Sequence, residues 1–147
     1  MNIKLQRFRR LAFIRQGCRC YYCNLPIWES GQDKFVALYK IGRRKSEFLK
    51  STAEHLVAQQ DGGTDLEENI AAACFWCNRM RHHNRSTSAP DSVKYKQWVT
   101  EKVARRCWHP AIGLLLIECQ QYDVACIEQQ LGAGNVYRAS RTRNQIG

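Results

Sequence analysis

Two Cys-x-x-Cys pairs, Cys20/Cys23 and Cys74/Cys77, stand 50 residues apart in this chain. No other feature limits its fold so strongly. Cysteines three apart on a tight turn can both face one ion at about 2.3 Å, and a second such turn completes a tetrahedron. The paired spacing therefore predicts one structural zinc held by Cys20, Cys23, Cys74 and Cys77, closing the long loop between the pairs. Of the 8 cysteines, Cys18, Cys107, Cys119 and Cys126 lack the spacing and read as core or surface thiols. Cys18 is the alternative to Cys20, and the Cys-x-x-Cys spacing favours Cys20. A secreted disulfide scaffold is the competing use of so many cysteines. The segment Met1 to Arg10 has no apolar signal-like core, so a reducing, cytoplasmic setting is expected.

Charge narrows the partner. Lys plus Arg total 23 against 13 Asp plus Glu, a formal +10. Four thiolates on Zn²⁺ subtract two, leaving about +8. Such an excess suits nucleic acid or an anionic membrane surface. No apolar run approaches the ~18 residues of a membrane span. The 147 residues suffice for one ordinary domain with a real core.

Periodicity places the elements. Residues 4–16 carry a helical apolar stripe (Leu5, Phe8, Ala12) beside Arg7, Arg9, Arg10 and Arg15, and Gly17 ends that helix. Cys18 to Cys23 form a knuckle. Residues 34–41 read as a strand with helix as the alternative, followed by the basic run Arg43-Arg44-Lys45. Residues 51–57 fit a strand delivering Glu54 and His55 to its end. Gly62-Gly63 marks a loop, Leu66 to Asn69 one helical turn, and Ile70 to Ala73 a returning strand. A helix is expected from Cys77 to Arg85, a second from Asp91 or Ser92 to about Cys107, and a third from Ala111 to Leu131. Trp28, Trp76, Trp98 and Trp108 read as packing residues.

The order Glu54-His55-Leu56-Val57, Gly62-Gly63, Glu68-Asn69-Ile70, Cys74-x-x-Cys77-Asn78, preceded by Gly17-x-x-Cys20-x-x-Cys23, resembles the HNH endonucleases, in their zinc-containing ββα-metal branch. The resemblance spans residues 17–86. It implies an α+β fold, a ββα-metal, treble-clef-like core stapled by the four-cysteine zinc site, to which the helical readings outside that span add flanking N- and C-terminal helices. It implies His55 as general base and Asn69 as the residue that holds the loop and orients that histidine. It also implies Glu54, Asn78 and His82 as ligands of a catalytic divalent cation, Mg²⁺ or an ion such as Mn²⁺ or Ni²⁺. Glu54 departs from the more frequent Asp by one methylene. With the helical and charge patterns outside that span, the expected division is a nuclease core with its basic helix over 1–90, a helical extension over 91–136 and a basic tail over 137–147.

The residue chemistry is consistent with that implication. A neutral histidine, with a reference pKa of about 6.5, suits proton abstraction near neutral pH. Asn78 and His82 are i and i+4, so they share one helix face. Arg7, Arg9, Arg10, Arg79, Arg81 and Arg85 are the expected contacts to DNA phosphates, which carry no base code. The expected activity is metal-dependent hydrolysis of DNA phosphodiester bonds. The alternative is a zinc-stapled nucleic-acid-binding module without cleavage. A RING- or LIM-type module would need a second ligand set, which His82, His83 and His109 do not supply at the required spacing. The helical extension is available to pack on the core, to form a homodimer or to bind a partner protein, and no membrane partner is expected.

Overall fold

The computed structural model describes residues 3–83 and 88–115. Arg85, the helix expected beyond residue 115, Cys119, Cys126 and the 137–147 tail lie outside the described residues. Helix α1 (Ile3–Arg15) ends as its sequence predicts. Gly17 takes φ 65°; its N–H reaches Ile14 O at 3.0 Å while Cys18 N–H reaches Phe13 O at 2.9 Å. This crossed pair satisfies the last helical carbonyls and turns the chain sharply toward the first knuckle.

Two short helices follow, α2 (Gln32–Tyr39) and α3 (Arg43–Glu47). The 34–41 stretch is thus helical rather than a strand. Phe35 and Tyr39, four apart, bury one helical face, whereas a strand would need period-two burial. Trp28 caps this small unit: its indole Nε1 donates to Ser46 O at 2.7 Å.

The sheet has two antiparallel strands, β1 (Ser51–His55) and β2 (Ile70–Cys74), paired Ser51 with Cys74 through His55 with Ile70. All five β2 residues are buried, which explains the run Ile-Ala-Ala-Ala-Cys: α1 packs closely on this strand, and alanine leaves it room. Gln16 covers the outer edge of β2. Its Nε2 donates to Ala72 O at 2.7 Å and its Oε1 accepts from Ala72 N–H at 3.0 Å. Tyr21 N–H also reaches Ala72 O at 3.0 Å, so side chain and knuckle backbone together satisfy this strand edge.

Helix α4 (Phe75–His82) begins directly where β2 ends, two residues before the expected start. The reason is that Cys74 is its N-cap, with Sγ accepting from Cys77 N–H at 3.3 Å. Helix α5 (Ser92–Ala104) is capped by Asp91, whose Oδ1 accepts from Val93 and Lys94 N–H. Helix α6 (Ile112–Leu115) starts after the Trp108-His109-Pro110 break. Tyr95, Val99, Trp108 and Ala111 share a single core cluster with Phe13, Tyr22 and the four paired cysteines. Trp98 is the exception among the tryptophans, at 43% exposed. Among the described residues no helix is long and apolar enough to cross a membrane.

Candidate metal centre and polar cleft

The two knuckles meet. The Sγ atoms of Cys20, Cys23, Cys74 and Cys77 all lie within 4.8 Å of one another, and all four residues are buried. A tetrahedron with 2.3 Å metal–sulfur bonds has edges of about 3.8 Å, and Cys23 Sγ to Cys74 Sγ measures 3.9 Å. Donors surround the sulfurs as thiolates require. Cys74 N–H points at Cys20 Sγ (3.2 Å) and the Trp108 indole N–H at Cys77 Sγ (3.1 Å). Burial opposes ionisation of Cys20, yet hydrogen bonds from its three partners hold it well below the usual thiol range. Burial, then the Cys20 neighbour, pushes Cys23, Cys74 and Cys77 up. Four buried thiols in such conflict fit a divalent cation, whose charge relieves it. The cluster is positioned to hold a structural metal. Cys18 is buried but is not part of this cluster.

Beyond this centre, the end of β1 and one face of α4 enclose an open polar cavity of about 300 Å³. It is lined by Ala53, Glu54, His55, Ala58, Gln59, Gln60, Asn78 and His82. Strand register and helix spacing together bring Glu54, His55, Asn78 and His82 to one place. The amide of Asn78 is fixed by donation from Nδ2 to Thr52 Oγ1 and to Ala53 O, both at 3.0 Å. His82 Nε2 lies 3.3 Å from Glu54 Oε1.

Glu54 itself is 1% exposed. Its Oε1 accepts from the Tyr22 hydroxyl at 2.9 Å and from Arg81 Nη1. Burial and then the negative charge of Glu54 push the Tyr22 hydroxyl up, keeping it a proton donor to the carboxylate. Arg81 corrects the expectation that it contacts DNA phosphate. It is 1% exposed, and its guanidinium also donates to His55 O, Leu56 O and Pro90 O. A phosphate cannot reach a cation so enclosed. Its position on α4, facing β1 rather than solvent, decides this.

The other arginines differ among themselves. Arg7 and Arg79 are exposed. Arg9 and Arg10 both pair with Glu29, with side chains 16% and 48% exposed.

Asn69 sits in a turn of 3₁₀ helix (Glu67–Asn69). Its Oδ1 accepts from Val57 N–H at 2.9 Å, and its Nδ2 donates to Val57 O and Thr64 O. It therefore clamps both ends of the loop that follows His55 without touching the imidazole. Two neighbours of the cleft carry no expectation from sequence: Tyr22 beneath Glu54, and Asp65, whose Oδ1 lies 2.7 Å from His55 Nε2. The nearest sequence signal for Asp65 is its place just after Gly62-Gly63.

A two-stranded hairpin, a helix launched from a metal-binding knuckle and a polar cleft where strand end meets helix define a ββα-type metal-site domain. Residues 44–84 match the family described as HNH endonuclease. That segment is similar to the HNH family, and the four-cysteine cluster fits its zinc-containing branch. Comparison with curated proteins and with solved structures gave no match.

Proposed function

We propose that this protein is a metal-dependent endonuclease that hydrolyses phosphodiester bonds of DNA, with His55 as general base. The observation that carries the reading is the convergence of Glu54, His55, Asn78 and His82 on one open cavity. His55 takes a proton from the attacking water. Asn69 keeps the loop after His55 closed, and thereby keeps the imidazole at the cleft. Glu54, Asn78 and His82 are the residues that would hold a divalent cation. Carboxylate, amide and imidazole suit Mg²⁺, Mn²⁺ or Ni²⁺. Such an ion, when bound, stabilises charge on the scissile phosphate and the leaving oxygen. The four-cysteine centre takes Zn²⁺ as a structural ion. A net charge of +10 draws the polyanion in.

One observation favours the second reading, a zinc-stapled binding module without cleavage. Arg81 already neutralises the buried Glu54 carboxylate, which lowers its attraction for a cation. Plasmid nicking with Mg²⁺, Mn²⁺ or Ni²⁺ separates the two. Wild type is expected to nick, and His55→Ala to lose about 10² to 10⁴ in rate while keeping zinc and DNA affinity. Equal rates in a preparation cleared of contaminating nuclease would leave the binding module as the function.

A further inference from the structure

Resting on the reading of His55 as base, we propose that Asp65 is its positioning residue: the Asp65 carboxylate fixes the proton of His55 on Nε2 and leaves Nδ1 as the proton acceptor. His55 Nε2 lies 2.7 Å from Asp65 Oδ1. A carboxylate can only accept, so in the neutral ring Nε2 must be the N–H and Nδ1 the lone pair. Nδ1 has no protein partner among the described residues, and His55 lines the cleft.

The placement of Asp65 is built rather than incidental. Gln59 Nε2 donates to the same carboxylate oxygen at 3.0 Å. Asn69 holds Thr64 O, one residue before Asp65, at 2.9 Å. The loop between folds back so tightly that Gly63 N–H reaches Ala58 O at 2.9 Å, and a Cβ on Gly63 would sit 1.8 Å from Val57 O. Glycine there and the Asn69 clamp together deliver Asp65 to the imidazole. His55 is only 14% exposed against a partner at 36%, unlike a pair of solvated surface charges.

The division of labour follows that of a histidine held by an acid in other hydrolases. The water proton passes to Nδ1 and the water oxygen forms the new bond to phosphorus. The bond from phosphorus to the leaving sugar oxygen breaks, and that oxygen takes a proton from solvent water. The Nε2 proton stays where it is, hydrogen-bonded to Asp65, whose charge stabilises the imidazolium. His55 then releases its Nδ1 proton to solvent.

The test uses the full chain loaded with zinc. Long-range ¹H–¹⁵N spectra of the wild-type histidine rings are expected to show His55 as the Nε2–H tautomer. Asp65→Ala is expected to give a tautomer mixture and to lower kcat at least about tenfold, with KM little changed, while zinc content stays the same. Asp65→Glu, which restores a carboxylate, should recover part of both. A wild-type ring protonated on Nδ1 overturns the proposal whether or not the variants fold. An active wild type with an unimpaired, folded Asp65→Ala overturns it while leaving His55 as base. A wild type that nicks no DNA overturns both readings together.

Discussion

The indole N–H of Trp108 donates to Cys77 Sγ at 3.1 Å, so a residue 31 positions downstream completes the surroundings of the metal centre. The Tyr95 hydroxyl donates to Cys77 O at 3.1 Å, and the Tyr95 and Tyr22 rings meet edge to face at 4.9 Å. These contacts, with Trp76 Nε1 donating to Trp108 O at 3.1 Å, join the chain after Pro90 to the two cysteine knuckles. A donor to a metal-bound thiolate tunes the affinity of the site for its ion.

Trp108→Phe keeps most of the packing and removes that donor. It is expected to weaken zinc retention about 10- to 100-fold. Competition with a chromophoric chelator reads this directly, and wild-type retention in the variant would refute a supporting role for the indole.

The Glu54–Arg81 pair predicts an asymmetry in stability. Both side chains are at most 2% exposed. Arg81→Met leaves a buried carboxylate unpaired and is expected to cost about 3 to 5 kcal/mol. Combining Arg81→Met with Glu54→Gln should cost much less than the sum of the single changes, because no net charge is then stranded. Urea unfolding of the four proteins measures the coupling, and strict additivity would contradict it.

Arginines at the surface and in the interior should separate in DNA binding. Arg7→Gln and Arg79→Gln each remove an exposed cation. Each is expected to reduce the log–log salt slope of duplex affinity by about 0.9 where a phosphate contact is lost. Arg81→Met, wherever it remains folded, should leave the slope unchanged. Fluorescence anisotropy across a salt series checks both. A slope lowered by Arg81→Met alone would place that guanidinium on the DNA.

Stability should fall in mild acid partly through His109. The ring is buried, 4% exposed, and its Nδ1 accepts from Ala111 N–H at 3.0 Å. Burial pushes its pKa down to about 4 from 6.5. The unfolded chain therefore binds the extra proton first. The His109 contribution is intact above about pH 6.5 and is lost as pH falls toward 4, to a total of about 3 kcal/mol. His109→Asn keeps an acceptor without the titration. The difference between its stability and that of wild type should change across this window. Because both proteins carry the same cysteine cluster, acid release of the metal cancels to first order. Parallel pH curves would contradict the assignment.

Much of this architecture was legible because its signals are local. Two Cys-x-x-Cys pairs specify a knuckle geometry wherever they lie. The α1 stripe with Gly17 and the Asp91 cap each depend on neighbours within a turn. The hairpin of β1 and β2 followed from two short strand-like segments on either side of the Gly62-Gly63 loop. The reading weakened at residues 34–41, where Phe-Val-Ala-Leu-Tyr satisfies either period. There the tertiary burial of Phe35 and Tyr39, not propensity, selected the helix.

The cleft divides in the same way. The sequence by itself carried Glu54, His55, Asn69 and Asn78 in the order that resembles the HNH pattern, on a strand end, a turn and a helix start that local signals predict. Only the tertiary structure decided which charges are available. Arg79 and Arg81 differ by two positions on α4, a turn of about 200°. That rotation leaves Arg79 in solvent and drives Arg81 onto Glu54. The same holds for Asp65, whose loop comes back to His55 only because Gly63 admits the close approach of Val57 and Asn69 ties both ends. A linear pattern carries no record of such distances, because they are set by which groups must be satisfied once water is excluded.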